Sequence, residues 1–239
     1  IMSSSEITLA EIFAEKNYKT GIFGKWHLGD NYPSRPSDQG FQESLIHLAG
    51  GIGQVGDFTN YYAGNESYFD PALWHNNEIK EFEGYCSDIF TDEALKFIEQ
   101  NKSNQFFCYL SFNAPHTPLQ VPEKYYDLYK DIDPSNFYEE VTSEMTERDV
   151  NDAKKIYGMV TNIDENFGKL LYKLEELDIK ENTIVIFLTD NGPQQTRYVS
   201  NLRGLKSQVY NGGIKVPLYF SYPKLYKLSL IHISEPTRP

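Results

Sequence analysis

Two side chains that suit anion binding and proton transfer, Lys25 and His27, follow a short strand-like run at residues 18–23. They are two positions apart, so in an extended segment they lie on one side while Trp26 points to the other. An ammonium group beside an imidazole can bind an oxyanion and move protons. If His27 is taken alone, a structural histidine is the better explanation.

Two further apolar runs also end in polar groups. His116 lies between Pro115 and Pro118, on a stiff turn that would hold a catalytic acid rigidly, although the same residues also fit a plain turn. Asp190 and Asn191 are adjacent oxygen donors that suit Ca²⁺ or Mg²⁺ better than a soft metal. The alternative for this pair is an Asp-Asn-Gly turn that closes a strand. Two ligands do not fill a calcium shell, so other residues would have to complete it.

A basic segment at residues 201–217, which contains several glycines, supplies further cations, among them Arg203 and Lys206. Cationic side chains on such a loop are consistent with clamping an anion. Taken singly, each of these cations is better explained as a solvated loop residue. The anion-binding interpretation becomes stronger because these cations follow the other polar groups in the chain.

The hydrophobic pattern predicts the elements that must position these groups. Helices are expected at residues 5–17, 88–101 and 149–177, and strands at 18–23, 105–112 and 183–188, the last two buried on both faces. This alternation predicts an α/β fold with a mostly parallel sheet sandwiched by helices. Because ligands bind beyond the carboxyl ends of such strands, the polar groups are expected in one pocket. Residues 30–84 show little period and are expected to be a functional loop or an insertion.

Composition narrows the possible functions. The chain has 239 residues, with 22 Lys and Arg against 34 Asp and Glu, and a formal net charge of -12. This acidity argues against a nucleic-acid binder. At 40% hydrophobic and 23% charged the chain is globular and not disordered. No stretch approaches the roughly 18 apolar residues that a membrane span requires. The two cysteines, Cys86 and Cys108, cannot form a disulfide scaffold and do not have metal-site spacing.

Four motifs in a fixed order resemble the sulfatase family, within the alkaline phosphatase superfamily. They are GKWHLG at 24–29, APHTPL at 114–119, TDNG at 189–192 and LRGLKSQVYNGGIKVP at 202–217. The resemblance covers residues 5–223. It implies an incomplete alkaline-phosphatase-like sulfatase fold, with a partial catalytic domain at 1–223 and a tail at 224–239 that does not fit the family.

The resemblance implies roles for four catalytic residues. Lys25 and His27 correspond to the pair around the family's nucleophile, with His27 as the base that helps to release sulfate. His116 and Lys206 correspond to residues that hold the sulfate ester, and either one is the proton donor to the leaving alcohol. The implied reaction is hydrolysis of the sulfate ester of a carbohydrate or an aryl alcohol. Residues 30–84 are expected to line the substrate pocket.

The resemblance also implies two cofactors. One is a single Ca²⁺, with Asp190 and Asn191 among its ligands. The other is formylglycine, formed from the first residue of a Cys/Ser-x-Pro-Ser/Thr-Arg motif that precedes the GKWH segment in family members. Of two similar stretches, residues 31–35 have Asn at the nucleophile position and follow GKWH, while residues 234–238 fit the pattern but lie in the tail. Both are rejected as the nucleophile.

We therefore expect this sequence to be a fragment of a longer protein, inactive and poorly soluble by itself. The last twelve residues, 228–239, are expected to be an artefact of sequencing. The implied location is periplasmic or secreted, and the implied partner is a sulfate ester, such as a sulfated glycan.

Two alternatives stay open. One is a phosphodiesterase or phosphatase of the same superfamily, with a Thr or Ser nucleophile and two metal ions, commonly zinc; the shortage of His and Asp ligands argues against it. The other is a non-catalytic fragment or pseudoenzyme that at most binds an anion.

Overall fold

The computed structural model describes residues 2–3, 5–57, 67–137 and 144–226. The helices are α1 (Leu9–Glu15), α2 (Cys86–Gln100), α3 (Glu123–Tyr126), α4 (Glu147–Glu176) and α5 (Asn211–Ile214). Short 3₁₀ helices cover Pro36–Gln39, Pro134–Phe137 and Lys180–Asn182. The strands are β1 (Lys19–Lys25), β2 (Glu43–His47), β3 (Ala72–His75), β4 (Glu78–Glu81), β5 (Phe106–Ser111), β6 (Val185–Leu188) and β7 (Leu218–Ser221). The chain forms two compact units, residues 1–132 with 151–170, and residues 133–150 with 171–239.

The first unit is built on a five-stranded sheet in the order β4-β3-β2-β1-β5. Strand β1 runs parallel to both of its neighbours, β2 and β5, while β3 and β4 extend the sheet as an antiparallel hairpin. The parallel register places Lys25 of β1 opposite His47 of β2. The predicted α/β class with a parallel core of strands is confirmed.

Alternation along β1 explains why helices cover both faces of this sheet. Ile22 belongs to one buried cluster with Ala10 of α1 and Ile46 of β2. The next residue, Phe23, points to the opposite face and packs against Phe97 of α2, with ring centroids 5.6 Å apart. The sheet is therefore sandwiched by α1 and α2, and β1 is buried on both sides.

The segment at residues 30–84 contains more regular structure than its sequence predicts. It holds a 3₁₀ turn and the strands β2, β3 and β4, so the expectation of a long irregular loop is wrong. Strand β2 is only five residues long, too short for a clear period, and it is stabilised by pairing with β1. Tertiary pairing decides the structure here, and local pattern does not.

Two strands are less buried than expected. β5 was predicted to be buried on both faces, but it is the outermost strand of the first unit's sheet as described, and Tyr109 is 47% exposed. β6 lies in the second unit, where it pairs only with β7 among the strands of the described part. A two-stranded sheet covers little of its own surface, and Ile186 and Leu188 are both more than half exposed. The prediction of full burial is wrong for both strands.

The long loop between β6 and β7, residues 189–217, contains α5 and carries the acidic and basic motifs of the second unit. None of the helices in the described ranges is both long enough and apolar enough to cross a membrane.

Candidate active site

The ends of β1 and β5 hold Lys25 in place. The Ser111 hydroxyl at the end of β5 donates a hydrogen bond to the Lys25 carbonyl at 2.8 Å. The preceding residue, Gly24, has a left-handed backbone with φ of 125° and lies so close to Ser111 that a Cβ would collide with the Ser111 carbonyl. Only glycine satisfies both conditions, so Gly24 allows the two strand ends to approach each other.

His27 lies just beyond the strand, where the chain turns. Its φ is 55°, so the extended segment expected from 25 to 27 stops before His27. Trp26 is buried, as the alternation predicts, and its indole N–H donates to the carbonyls of Gly29 and Ser34 at 2.8 and 2.9 Å. The His27 amide donates to the Leu48 carbonyl at 3.2 Å. The turn therefore presents an exposed imidazole on a fixed backbone.

His116 is fixed from three sides on the loop after β5. Its amide donates to the Asn113 carbonyl at 2.9 Å, and the hydroxyl of the fully buried Tyr68 donates to its own carbonyl at 2.6 Å. Burial raises the pKa of Tyr68, so this phenol stays a donor. The ring Nδ1 lies 2.8 Å from the Thr117 carbonyl, which can only accept, so Nδ1 carries the proton. Nε2 is therefore the ring nitrogen through which this imidazole can act on a substrate.

Sequence reasoning missed a fourth group, His47. It is the last residue of β2, lies opposite Lys25 in the sheet register and is fully buried. Burial and the charges of Lys25, His116 and His27 lower the pKa of His47 to about 3, so this ring is neutral. The signal was available, because His47 ends a short apolar run just as the other candidates do. The long segment in which it lies obscured that signal.

The second unit positions Asp190, Asn191 and Lys206. The Gly192 amide donates to the Gly213 carbonyl at 2.9 Å, and the Lys206 amide donates to the Pro193 carbonyl at 2.8 Å. These backbone bonds join the TDNG turn to the basic segment. Lys206 is thus brought beside the turn that carries Asp190 and Asn191.

The chemistry of this turn fits part of a calcium site. The Asn191 side-chain N–H donates to the Gly192 carbonyl at 2.8 Å, which leaves its oxygen as a possible ligand next to the exposed Asp190 carboxylate. Both are hard oxygen donors of the kind that Ca²⁺ prefers, although Ca²⁺ takes about six to eight. Within the described ranges, no three His, Cys, Asp or Glu side chains are grouped as a metal site would require. Asp190 and Asn191 would therefore supply a minority of the ligands.

The rejected nucleophile motif at residues 31–35 has a structural role. The Arg35 guanidinium forms a two-point ion pair with Asp38, with both N–O distances at 2.8 Å. The same Asp38 carboxylate accepts the Arg35 backbone amide at 3.1 Å, which caps the start of the 3₁₀ helix at Pro36–Gln39. The second motif, at residues 234–238, lies outside the described residues.

The first unit thus groups Lys25, His27 and His116 with His47, and the second unit groups Asp190, Asn191 and Lys206. Comparison with known proteins bears on both groups, because a family model described as Sulfatase matches residues 3–233. The chain belongs to the sulfatase family.

Individual sulfatases agree with this assignment. An uncharacterized sulfatase of Schizosaccharomyces pombe is 30% identical over 78% of this chain and 41% of its own length. The ulvan-active sulfatase of Formosa agariphila is 26% identical over 98% of this chain and 44% of its own length. The crystal structure of Ps i-CgsB in complex with k-i-k-neocarrahexaose aligns with a TM-score of 0.72 and 30% identity, covering 90% of this chain and 47% of that protein. The chain thus spans less than half the length of each of these three proteins.

Proposed function

We propose that the protein hydrolyses sulfate esters, with sulfated carbohydrates as the substrate class. The observation that carries this proposal is the grouping of Lys25, His27 and His116 at the ends of parallel strands, in a chain of the sulfatase family. The carbohydrate class is supported by the ulvan-active relative and by the similar protein solved with a neocarrahexaose.

In the proposed reaction each residue acts on a charge or a proton. The Lys25 ammonium offsets negative charge on the sulfate group as the ester bond breaks. His116 acts in its imidazolium form: Nδ1–H stays bonded to the Thr117 carbonyl, and Nε2–H holds the ester and gives its proton to the leaving alcohol, which leaves the ring neutral. Lys206 is the second candidate for that proton. His27 takes a proton when sulfate is released.

Two groups that belong to the proposal are a calcium ion and formylglycine. Asp190 and Asn191 would hold the ion, which would offset the charge of the sulfate. Formylglycine would supply the nucleophile that attacks sulfur. We also propose that the protein is exported, either to the periplasm or out of the cell, where calcium is plentiful.

The test is an assay of the protein, produced from its complete gene, on 4-nitrophenyl sulfate and on sulfated oligosaccharides. His116→Asn should lower kcat by about 10²–10⁴-fold, because proton transfer contributes on that order. The matched control is His75→Asn, a half-buried histidine on β3 whose Nδ1 contacts Lys80. Equal losses in the two variants, or turnover of phosphate diesters in place of sulfate esters, would contradict the proposal.

A further inference from the structure

Two glycines, Gly50 and Gly51, lie against the two candidate catalytic imidazoles. A Cβ on Gly50 would come within 2.8 Å of His27 Cε1, and a Cβ on Gly51 within 2.7 Å of His116 Nδ1. Both distances are too short for a carbon atom beside a ring. One short stretch of backbone therefore contacts both histidines, one through each glycine.

The backbone itself does not require glycine at these positions. Neither Gly50 nor Gly51 adopts the left-handed conformation, unlike Gly53 in the same loop, whose φ is 78°. An alanine would meet no conformational penalty there. A side chain at Gly50 would therefore encounter the His27 ring, and one at Gly51 would encounter the His116 ring together with the Gln54 side-chain amide, at 2.9 Å.

The loop that carries the glycine pair is closed by a buried carboxylate. Asp57 Oδ2 accepts the Gly53 amide at 3.0 Å, and Oδ1 lies 3.5 Å from the Leu48 amide. The His47 ring, at the start of the loop, has its Nδ1 3.6 Å from Asp57 Oδ2. The exposed fractions of these two side chains are 0% and 1%.

Burial makes this closure rigid. A buried carboxylate is costly unless hydrogen bonds compensate it, so the bonds to the loop amides hold Asp57 and the loop together. The neutral His47 ring lies beside Asp57 without adding a charge. Leu48 then links the loop to the site, because its carbonyl accepts the His27 amide.

We propose that the segment 47–57, the glycine loop, is a positioning element that sets the separation and orientation of the His27 and His116 imidazoles. The inference rests on the proposed function for its catalytic meaning. The statement that the loop fixes the two rings depends only on the contacts of Gly50 and Gly51.

The first test follows each ring directly. The protein from its complete gene, labelled with ¹³C at histidine Cε1, gives NMR signals that His→Gln variants can assign, and five of its histidines lie in this chain. Gly50→Ala should move the signal and titration midpoint of His27, and Gly51→Ala those of His116. Gly168→Ala is the matched control, since a Cβ there meets nothing within 4 Å. Wild-type signals in both loop variants would overturn the proposal.

The second test applies if the alanine variants are unstable. Gly50→Ala should lower Tm in the wild-type background but have little effect when His27→Ala has removed the ring. Gly51→Ala should behave in the same way when His116→Ala is combined with Gln54→Ala, because the Gln54 amide would lie 2.9 Å from the same Cβ. Equal losses of Tm with and without the ring would show that the rings are not what excludes a side chain, and would overturn the proposal.

Kinetics separate this proposal from the proposed function. On 4-nitrophenyl sulfate, Gly51→Ala should lower kcat by at least tenfold with KM nearly unchanged, because a displaced donor affects the transition state more than ground-state binding. An unchanged kcat would overturn the positioning role. If the two alanine variants show the expected NMR shifts but the wild-type protein has no sulfatase activity, the proposed function is overturned. The proposal that the loop fixes the two rings is then still supported.

Discussion

The two units hold their candidate residues by different means. In the first unit, buried side chains fix the site: Tyr68 bonds to the His116 carbonyl, Trp26 anchors the turn before His27, and both are at most 6% exposed. In the second unit, bonds between backbone groups join the turn at Asp190 to Lys206. The strands β6 and β7 beside that turn are largely exposed.

This difference bears on how each group of residues tolerates change. A site fixed by buried packing loses much stability when a close contact is disturbed, because the interior cannot relax. A site fixed by backbone bonds on an exposed loop loses little when a side chain is replaced. Replacing a buried side chain that fixes the first site should therefore cost more than replacing an exposed side chain of the second, whereas a Cβ would collide with backbone in both units, at Gly24 and at Gly192.

The largest effect is expected from Gly24→Ala. The new Cβ would collide with the Ser111 carbonyl and would also impose a left-handed backbone on alanine. We expect the free energy of unfolding to fall by about 3–5 kcal/mol, measured by denaturant titration.

Gly84→Ala is the matched control for this prediction. Gly84 has a similar φ of 108°, but a Cβ there meets nothing within 4 Å. It should pay only the conformational cost, about 1–2 kcal/mol. A loss at Gly24 no larger than that at Gly84 would mean that the strand ends can separate, and the contrast between the units would fail.

Much of the fold could be predicted from the sequence where the pattern is long. Helix α4 runs from Glu147 to Glu176, close to the expected 149–177, because its apolar stripe extends over many turns and Thr146 caps its start. Short strands could not be predicted in the same way. β2 owes its existence to pairing with β1, which no local pattern reveals.

The site could be predicted in part for a related reason. Polar residues at strand ends stand out in a sequence, so the sequence alone predicts Lys25 and His116 as site residues. His47 also ends a strand, but that strand was not recognised. Gly50 and Gly51 were missed because glycines in a glycine-rich stretch carry no signal of the ring that each one meets.

An intermediate effect is expected from pH, through His47. Its folded pKa of about 3 lies below the ordinary 6.5, so between these values the unfolded chain binds a proton that the folded protein does not. Above pH 6.5 this group therefore does not lower the free energy of unfolding. Below pH 6.5 the free energy of unfolding decreases as the pH falls. The expected slope is about 1.4 kcal/mol for each pH unit. Asp57, at 3.6 Å, opposes the shift but does not reverse it, because Lys25, His27 and His116 act together with burial.

Unfolding titrations at several pH values between 4 and 8 measure this slope. His47→Gln should flatten it relative to the wild-type protein, since the group that takes up the proton on unfolding is gone. His75→Gln is the control and should flatten the slope less, because that ring is only half buried and burial and Lys80 lower its pKa less far than that of His47. An equal slope in wild type and His47→Gln would show that the His47 ring can be protonated in the folded protein.

The smallest effect is expected in the second unit, at Arg203 and Tyr210. The Arg203 guanidinium lies 3.9 Å from the centre of the Tyr210 ring, and Tyr210 is 44% exposed. A cation–π contact at such a site contributes about 0.5–1 kcal/mol. A double-mutant cycle with Arg203→Gln and Tyr210→Leu should therefore give a coupling energy in that range. A coupling of about 2 kcal/mol or more would show that side chains hold this loop as firmly as Tyr68 and Trp26 hold the first unit, because only a desolvated pair reaches that value.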